Sequence, residues 1–100
     1  MTYMSFWLEV RKRGSGETKL KKELPDPSSG RVGPYTLRDW AEREGLEVEY
    51  IDNCHVKVPV DRDRLQAFLT KLYSPHDPPL ASALPVLTAE WEFVLEAEEW

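Results

Sequence analysis

From position 4 to 12 apolar and polar residues alternate, with Phe6, Leu8 and Val10 on one side and Trp7, Glu9 and Arg11 on the other, the two-residue period of a half-buried strand. Gly14-Ser15-Gly16-Glu17 carries turn chemistry, and residues 18–24 can return as a short second arm that only Leu20 and Leu24 would anchor. The pattern therefore leaves an extra N-terminal hairpin arm open. Residues 25–34, rich in Pro, Gly, Ser and Asp, form a loop. A helix start follows at Tyr35, with Thr36 placed to cap, Asp39 three residues later and Tyr35 placed to staple onto Trp40. The spacing predicts that helix to about Glu44, closed by Gly45 in the left-handed region.

Alternation resumes at Leu46, Val48 and Tyr50. Asp52-Asn53 tolerates the positive φ of a tight turn, and Cys54, Val56, Val58 and Val60 then alternate with His55, Lys57 and Pro59. Asp61 is placed to cap a second helix reaching about Tyr73, on which Leu65, Phe68, Leu69 and Leu72 share one face. Residues 74–88 contain Pro75, Pro78, Pro79 and Pro85 and cannot sustain a regular helix, while Leu80, Leu84, Val86 and Leu87 predict that this loop packs down. Trp91, Phe93, Leu95 and Ala97 finally oppose Glu90, Glu92, Glu96 and Glu98. Val94 breaks that rhythm and the Glu/Ala/Leu content also suits a helix, but the alternation predicts a last strand.

The resulting β-α-β-β-α-β order predicts a single α+β domain over residues 1–100. It has an antiparallel sheet of about four strands with two helices on one face, in the ferredoxin-like, split βαβ pattern. That pattern serves many functions and names none.

Composition supports a folded core: of 100 residues, 41% are hydrophobic and 11% aromatic. The opening residues do not read as a signal peptide, and no run approaches the roughly 20 apolar residues of a membrane span. A lone Cys54 cannot make an internal disulfide. A soluble, cytoplasmic protein with no membrane partner is the expectation. The net charge of −5 hides an asymmetry: Arg11, Lys12, Arg13, Lys19, Lys21 and Lys22 cluster early, whereas the last eleven residues hold Glu90, Glu92, Glu96, Glu98 and Glu99 and no base. Sequence alone thus predicts an electrically two-ended molecule.

Three function classes compete on these residues. Cys54 and His55 combine a thiol with a base, as a cysteine nucleophile requires, but neighbours on a strand point to opposite faces. Cys54 is therefore expected to be buried with Val56 and Val58, and His55 to lie exposed. His76-Asp77 with Cys54 and His55 lacks the paired spacing of a zinc site, and neither glycine pair has a phosphate-loop pattern, so no metal and no cofactor is expected. The basic residues 11–22 with Trp7 as a stacking ring fit a nucleic-acid surface, although an acidic pI near 5.0 and the need to protect a sheet edge with Lys argue against it. The acidic stripe of Glu90, Glu92, Glu96 and Glu98, ending in Trp100, fits a non-catalytic interaction protein of inhibitor, immunity or accessory-subunit type that meets a basic partner. An acidic solvent face on an edge strand would explain the same residues. The interaction protein is the leading reading, nucleic-acid binding the second, a small Cys/His enzyme the third. The choice between monomer and homodimer stays open.

Overall fold

The computed structural model describes residues 3–27, 30–73, 84 and 86–100. Five strands, β1 (Met4–Lys12), β2 (Thr18–Glu23), β3 (Glu49–Asp52), β4 (His55–Val60) and β5 (Trp91–Glu99), and two helices, α1 (Pro34–Arg43) and α2 (Arg62–Leu72), make a small α+β domain with an antiparallel sheet. The strands lie in the order β2-β1-β5-β4-β3.

This order departs from the ferredoxin-like arrangement, in which β1 would lie between β4 and β5. Here β5 lies between β1 and β4, antiparallel to both. The hairpin arm supplies a physical reason. Because β2 turns the chain back along β1, it enters α1 from the opposite end of the sheet, and β3 runs parallel to β2 on the far edge. The slot between β1 and β4 is left for β5, which is the centre of the sheet and not the edge strand its acidic pattern suggested.

Registered pairs fix the two faces. Phe6, Leu8 and Val10 of β1 stand opposite Ala97, Leu95 and Phe93, which in turn face Val56, Val58 and Val60 of β4. All nine are buried beneath the helices. From α1 come Leu37, Trp40 and Ala41, from α2 Leu65, Phe68 and Leu69. Trp40 stacks on Phe68 at 4.1 Å between centroids, and Phe68 meets Phe6 edge-on at 6.3 Å, tying both helices to β1. Leu24 and Val32 from the loop after β2 complete this core, and Tyr73 Oη donates to the Pro25 carbonyl at 2.6 Å.

Local signals were realised unevenly. Asp61 caps α2, its side chain accepting from Arg64 N at 2.9 Å. Gly45 has φ +70, as a helix-closing residue requires. α1, in contrast, starts two residues ahead of Thr36: Pro34 enters at the first turn, where its missing N–H costs nothing, with Gly33 as the cap. Gly33 sits close to β1: a Cβ there would come within 3.1 Å of Met4 Sδ and would require that side chain to shift. Tyr35 points outward beneath Arg38, so the expected capping box and staple do not form. At the β3–β4 turn no residue takes positive φ; Asp52 Oδ1 instead accepts the Cys54 N–H at 2.7 Å, stabilising the turn through its own side chain. β3 begins only at Glu49, with Leu46 and Val48 packed against the core ahead of it. Of the proline-rich stretch, Leu84 is buried and Leu87 half-buried, whereas Val86 is exposed; Pro75, His76, Asp77, Pro78, Pro79, Leu80 and Pro85 lie outside the described residues. Among the described residues no helix is long and apolar enough to cross a membrane.

Candidate functional site

Neither α1 nor α2 covers the second face of the sheet, and its side chains follow from the same register. Across the strands run Ser5–Glu98–His55, then Glu23–Trp7–Glu96–Lys57–Glu49, then Lys21–Glu9–Val94–Pro59, then Thr18–Arg11–Glu92. In a flat sheet β1 and β3 would stand about 14 Å apart, three strand spacings. Yet Arg11 on β1 donates from Nη1 and Nη2 to both oxygens of Glu49 on β3, at 2.9 and 2.8 Å, and from Nε and Nη2 to Glu92 at 3.1 and 3.0 Å. The sheet is curled toward this face. Long side chains reach over intervening strands and close it: Lys21 passes β1 to Glu96 Oε1 at 3.0 Å, and Lys57 passes β5 to Glu9 Oε2 at 3.4 Å.

Beneath that cover Glu9 and Glu96 are each only 2% exposed, and Val94 is fully buried on this polar side. A buried carboxylate survives only if its charge is met by partners. Glu9 accepts at Oε1 from Thr18 Oγ1, 2.6 Å away, and at Oε2 from Lys57. Glu96 Oε2 bonds His55 Nε2, while its Oε1 has the ammonium charges of Lys21 and, at 3.8 Å, Lys57, but no well-aligned hydrogen bond. Burial works to raise the Glu96 carboxyl; the close ion pair with Lys21, the hydrogen bond with His55 and the Lys57 charge outweigh it and hold the group below the usual carboxylate range. Hydrogen bonding to Arg11 likewise lowers Glu49, and the two carboxylates raise the Arg11 guanidinium.

The residues singled out in the sequence separate on this frame. Glu92 is held by Arg11 and Arg13, Glu96 is buried, and Glu98 Oε2 lies 3.3 Å from His55 Nδ1; Glu90 and Trp100 remain exposed. Glu99 lies on the helix side, in register with Met4. Of the basic set, Arg11 and Lys21 lie on the charged face with Trp7, whereas Lys12, in register with Trp91, and Lys22, in register with Leu8, lie on the helix side and Lys19 sits 5.1 Å over the Trp91 ring. Arg13 donates to the Ala89 carbonyl at 2.9 Å. The two-ended molecule is thereby corrected: β1 and β5 are neighbours, so the basic and acidic stretches neutralise each other across the sheet.

Cys54 is half-exposed at the turn, ahead of β4, and not buried with the valines. His55 is the one drawn in, its side chain 16% exposed between Glu96 and Glu98. For Cys54 the cause is a turn that ends one residue later than the alternation implied; His55 keeps its expected side of β4 and is enclosed there because β5, with Glu96 and Glu98, is the neighbouring strand. Glu9 was missed as a structural group; its apolar opposite number Val94 was the available signal that this side of the sheet is not open to water. Among the described residues no three His, Cys, Asp or Glu side chains are arranged to hold a metal ion.

What protrudes from this face is aromatic. Tyr3 and Trp100 exchange backbone hydrogen bonds at 2.8 and 2.9 Å beyond the ends of β1 and β5, and Trp100 stacks on Trp7 with centroids 6.4 Å apart and planes 7° from parallel. Ser5, in the row between Trp7 and Tyr3, is small enough for the two indoles to close over it. Compared with protein-family models, with curated proteins and with solved structures, the chain gives no significant match.

Proposed function

We propose that this domain is a non-catalytic protein-interaction module whose partner presents a basic surface. One observation carries the reading: most charged side chains of this sheet face, Arg11, Lys21, Lys57, Glu9, Glu92 and Glu96 among them, are spent on one another, while Trp100 and Tyr3 stand 60% and 57% exposed beside Glu98. Glu9 and Glu96, the two buried carboxylates among the described residues, are sealed from any substrate, and a general acid or base has to reach the atom it serves. Exposed indole and phenol rings next to a carboxylate are the groups that anchor protein interfaces.

The reading narrows the acidic stripe to its outer members, Glu90, Glu98 and Trp100, with Glu92 and Glu96 acting as structural groups. It is favoured over nucleic-acid binding because the Trp7 ring, which a base would need, already carries Trp100 and the Lys21 ammonium at 4.8 Å. The test is affinity capture at low salt with the intact chain, repeated with Glu90→Lys, Glu98→Lys and Trp100→Ala. A stoichiometric protein partner with a basic surface, retained by the wild type and lost with Glu98→Lys, is the expected result. Capture of nucleic acid alone, or a partner indifferent to all three substitutions, rejects the reading.

A further inference from the structure

We infer that Trp100 is the anchor for an arginine side chain of the partner, the guanidinium stacking on the exposed indole while pairing with Glu98. This deepens the interaction-module reading and rests on it. The inference starts from how the molecule treats its other surface rings. Lys19 lies 5.1 Å over Trp91, Lys21 4.8 Å over Trp7 and the Arg38 guanidinium carbon 5.0 Å over Tyr35. Trp100, like the exposed Tyr3 and Tyr50, carries no such group: among the described residues its ring meets Trp7 and no cation, though it is 60% exposed, and of these three rings it is the indole, the strongest cation-binding face.

The surrounding charge selects the occupant. Glu98 is two residues before Trp100 on the same side of β5; its side chain is 31% exposed and it commits Oε2 to His55. Glu23 stands across from Trp7, exposed, with no partner among the described residues. Lys21, the cation that reaches the neighbouring Trp7 ring, is already bound to Glu96 and to that ring. The negative face of the indole and two carboxylates with unused oxygens therefore attract a positive group. Between the two cationic side chains the geometry favours arginine: a planar guanidinium can lie flat on the ring and present its edge N–H groups to Glu98, whereas an ammonium satisfies the charge and leaves the stacking unused.

The probe is a short capped peptide, Gly-Arg-Gly-Arg-Gly, compared with its lysine and citrulline counterparts. Binding is followed by nitrogen-15 NMR on the intact domain, with the Trp100 indole N–H assigned through Trp100→Phe. The expected result is a saturable shift of that resonance and of the Glu98 amide, weaker with lysine and absent with citrulline. Trp100→Ala should weaken binding about fivefold, Glu98→Gln about threefold, and Trp100→Phe less than either. Thermal melts of each variant show whether the fold is intact. Equal response to citrulline, no shift at Trp100, or unchanged affinity in Trp100→Ala with a wild-type melt overturns the anchor. So does a single-stranded RNA oligonucleotide that moves Trp100 when the arginine peptide does not. If the peptide moves other residues, or the captured partner survives Trp100→Ala but not Glu98→Lys, the anchor fails and the interaction module stands. A protein that captures no partner loses both.

Discussion

The two faces of this sheet reach the same dryness by opposite means. On one, Val58 and Leu95 are sealed by helices whose Leu, Trp and Phe residues add apolar contact. On the other, Val94 is equally buried, but its cover is the sheet's own arginine and lysine stems, with their charges spent on Glu49, Glu92, Glu9 and Glu96. The helix side gains from every apolar atom taken out of water. The charged side must recover the desolvation cost of ions before it gains anything, so it contributes less stability per residue and depends more on geometry. Burial alone thus does not rank the two faces; what does the covering decides.

That difference can be measured by substitution. Leu95→Ala, at the centre of the helix side, should cost most, about 3 kcal/mol in urea unfolding, because it leaves a cavity in a fully packed site. Arg11→Ala should cost less, about 1–2 kcal/mol, since Glu49 is 38% exposed and can be rehydrated once its partner is gone. If Arg11→Ala equals or exceeds Leu95→Ala, the ranking of the faces is wrong. Acid should separate them further. The folded chain holds Glu96 and Glu49 below the ordinary carboxylate value of 4.5, so the unfolded chain takes up protons first as pH falls. Their stabilisation is therefore complete above the ordinary value and is lost progressively as pH drops through the lowered folded values. A stability profile between pH 7 and 3 should show this limb, shallower in Glu96→Gln and unchanged in slope in Leu95→Ala. Lys21→Ala, 43% exposed on its edge strand, should have the smallest effect, within about 1 kcal/mol at low salt and less at high salt.

Sequence pattern found the elements well because each depends on neighbours. The apolar stripe Leu65-Phe68-Leu69 and the cap at Asp61 are local, and both are realised in α2. Strand order is not local. Nothing within residues 91–99 says whether Glu96 will face water or Lys57, since that depends on β1 and β4 flanking β5. Val94, an apolar residue on the acidic side, was the one trace of two-sided burial, and by itself it also suited a helix. α1 starts ahead of Thr36 because Pro34, with its fixed φ, already suits the first helical turn and leaves Thr36 inside the helix. Of the candidate site, Trp100 and Glu98 were legible as exposed groups; the pairing of Trp100 with Trp7 over Ser5 required the register.

The middle position of β5 orders events in time. Among the five strands β1 pairs only with β2 and β5, and β4 only with β3 and β5, so the two hairpins share no strand pairing until residues 91–99 have emerged from the ribosome. Until then strand pairing can make at most two separate ribbons, each marginal by itself and with an unclaimed edge, and the keystone is made after both. Such late, long-range closure is slow compared with helix formation, and this interval is when the nascent protein is most open to mispairing with its neighbours.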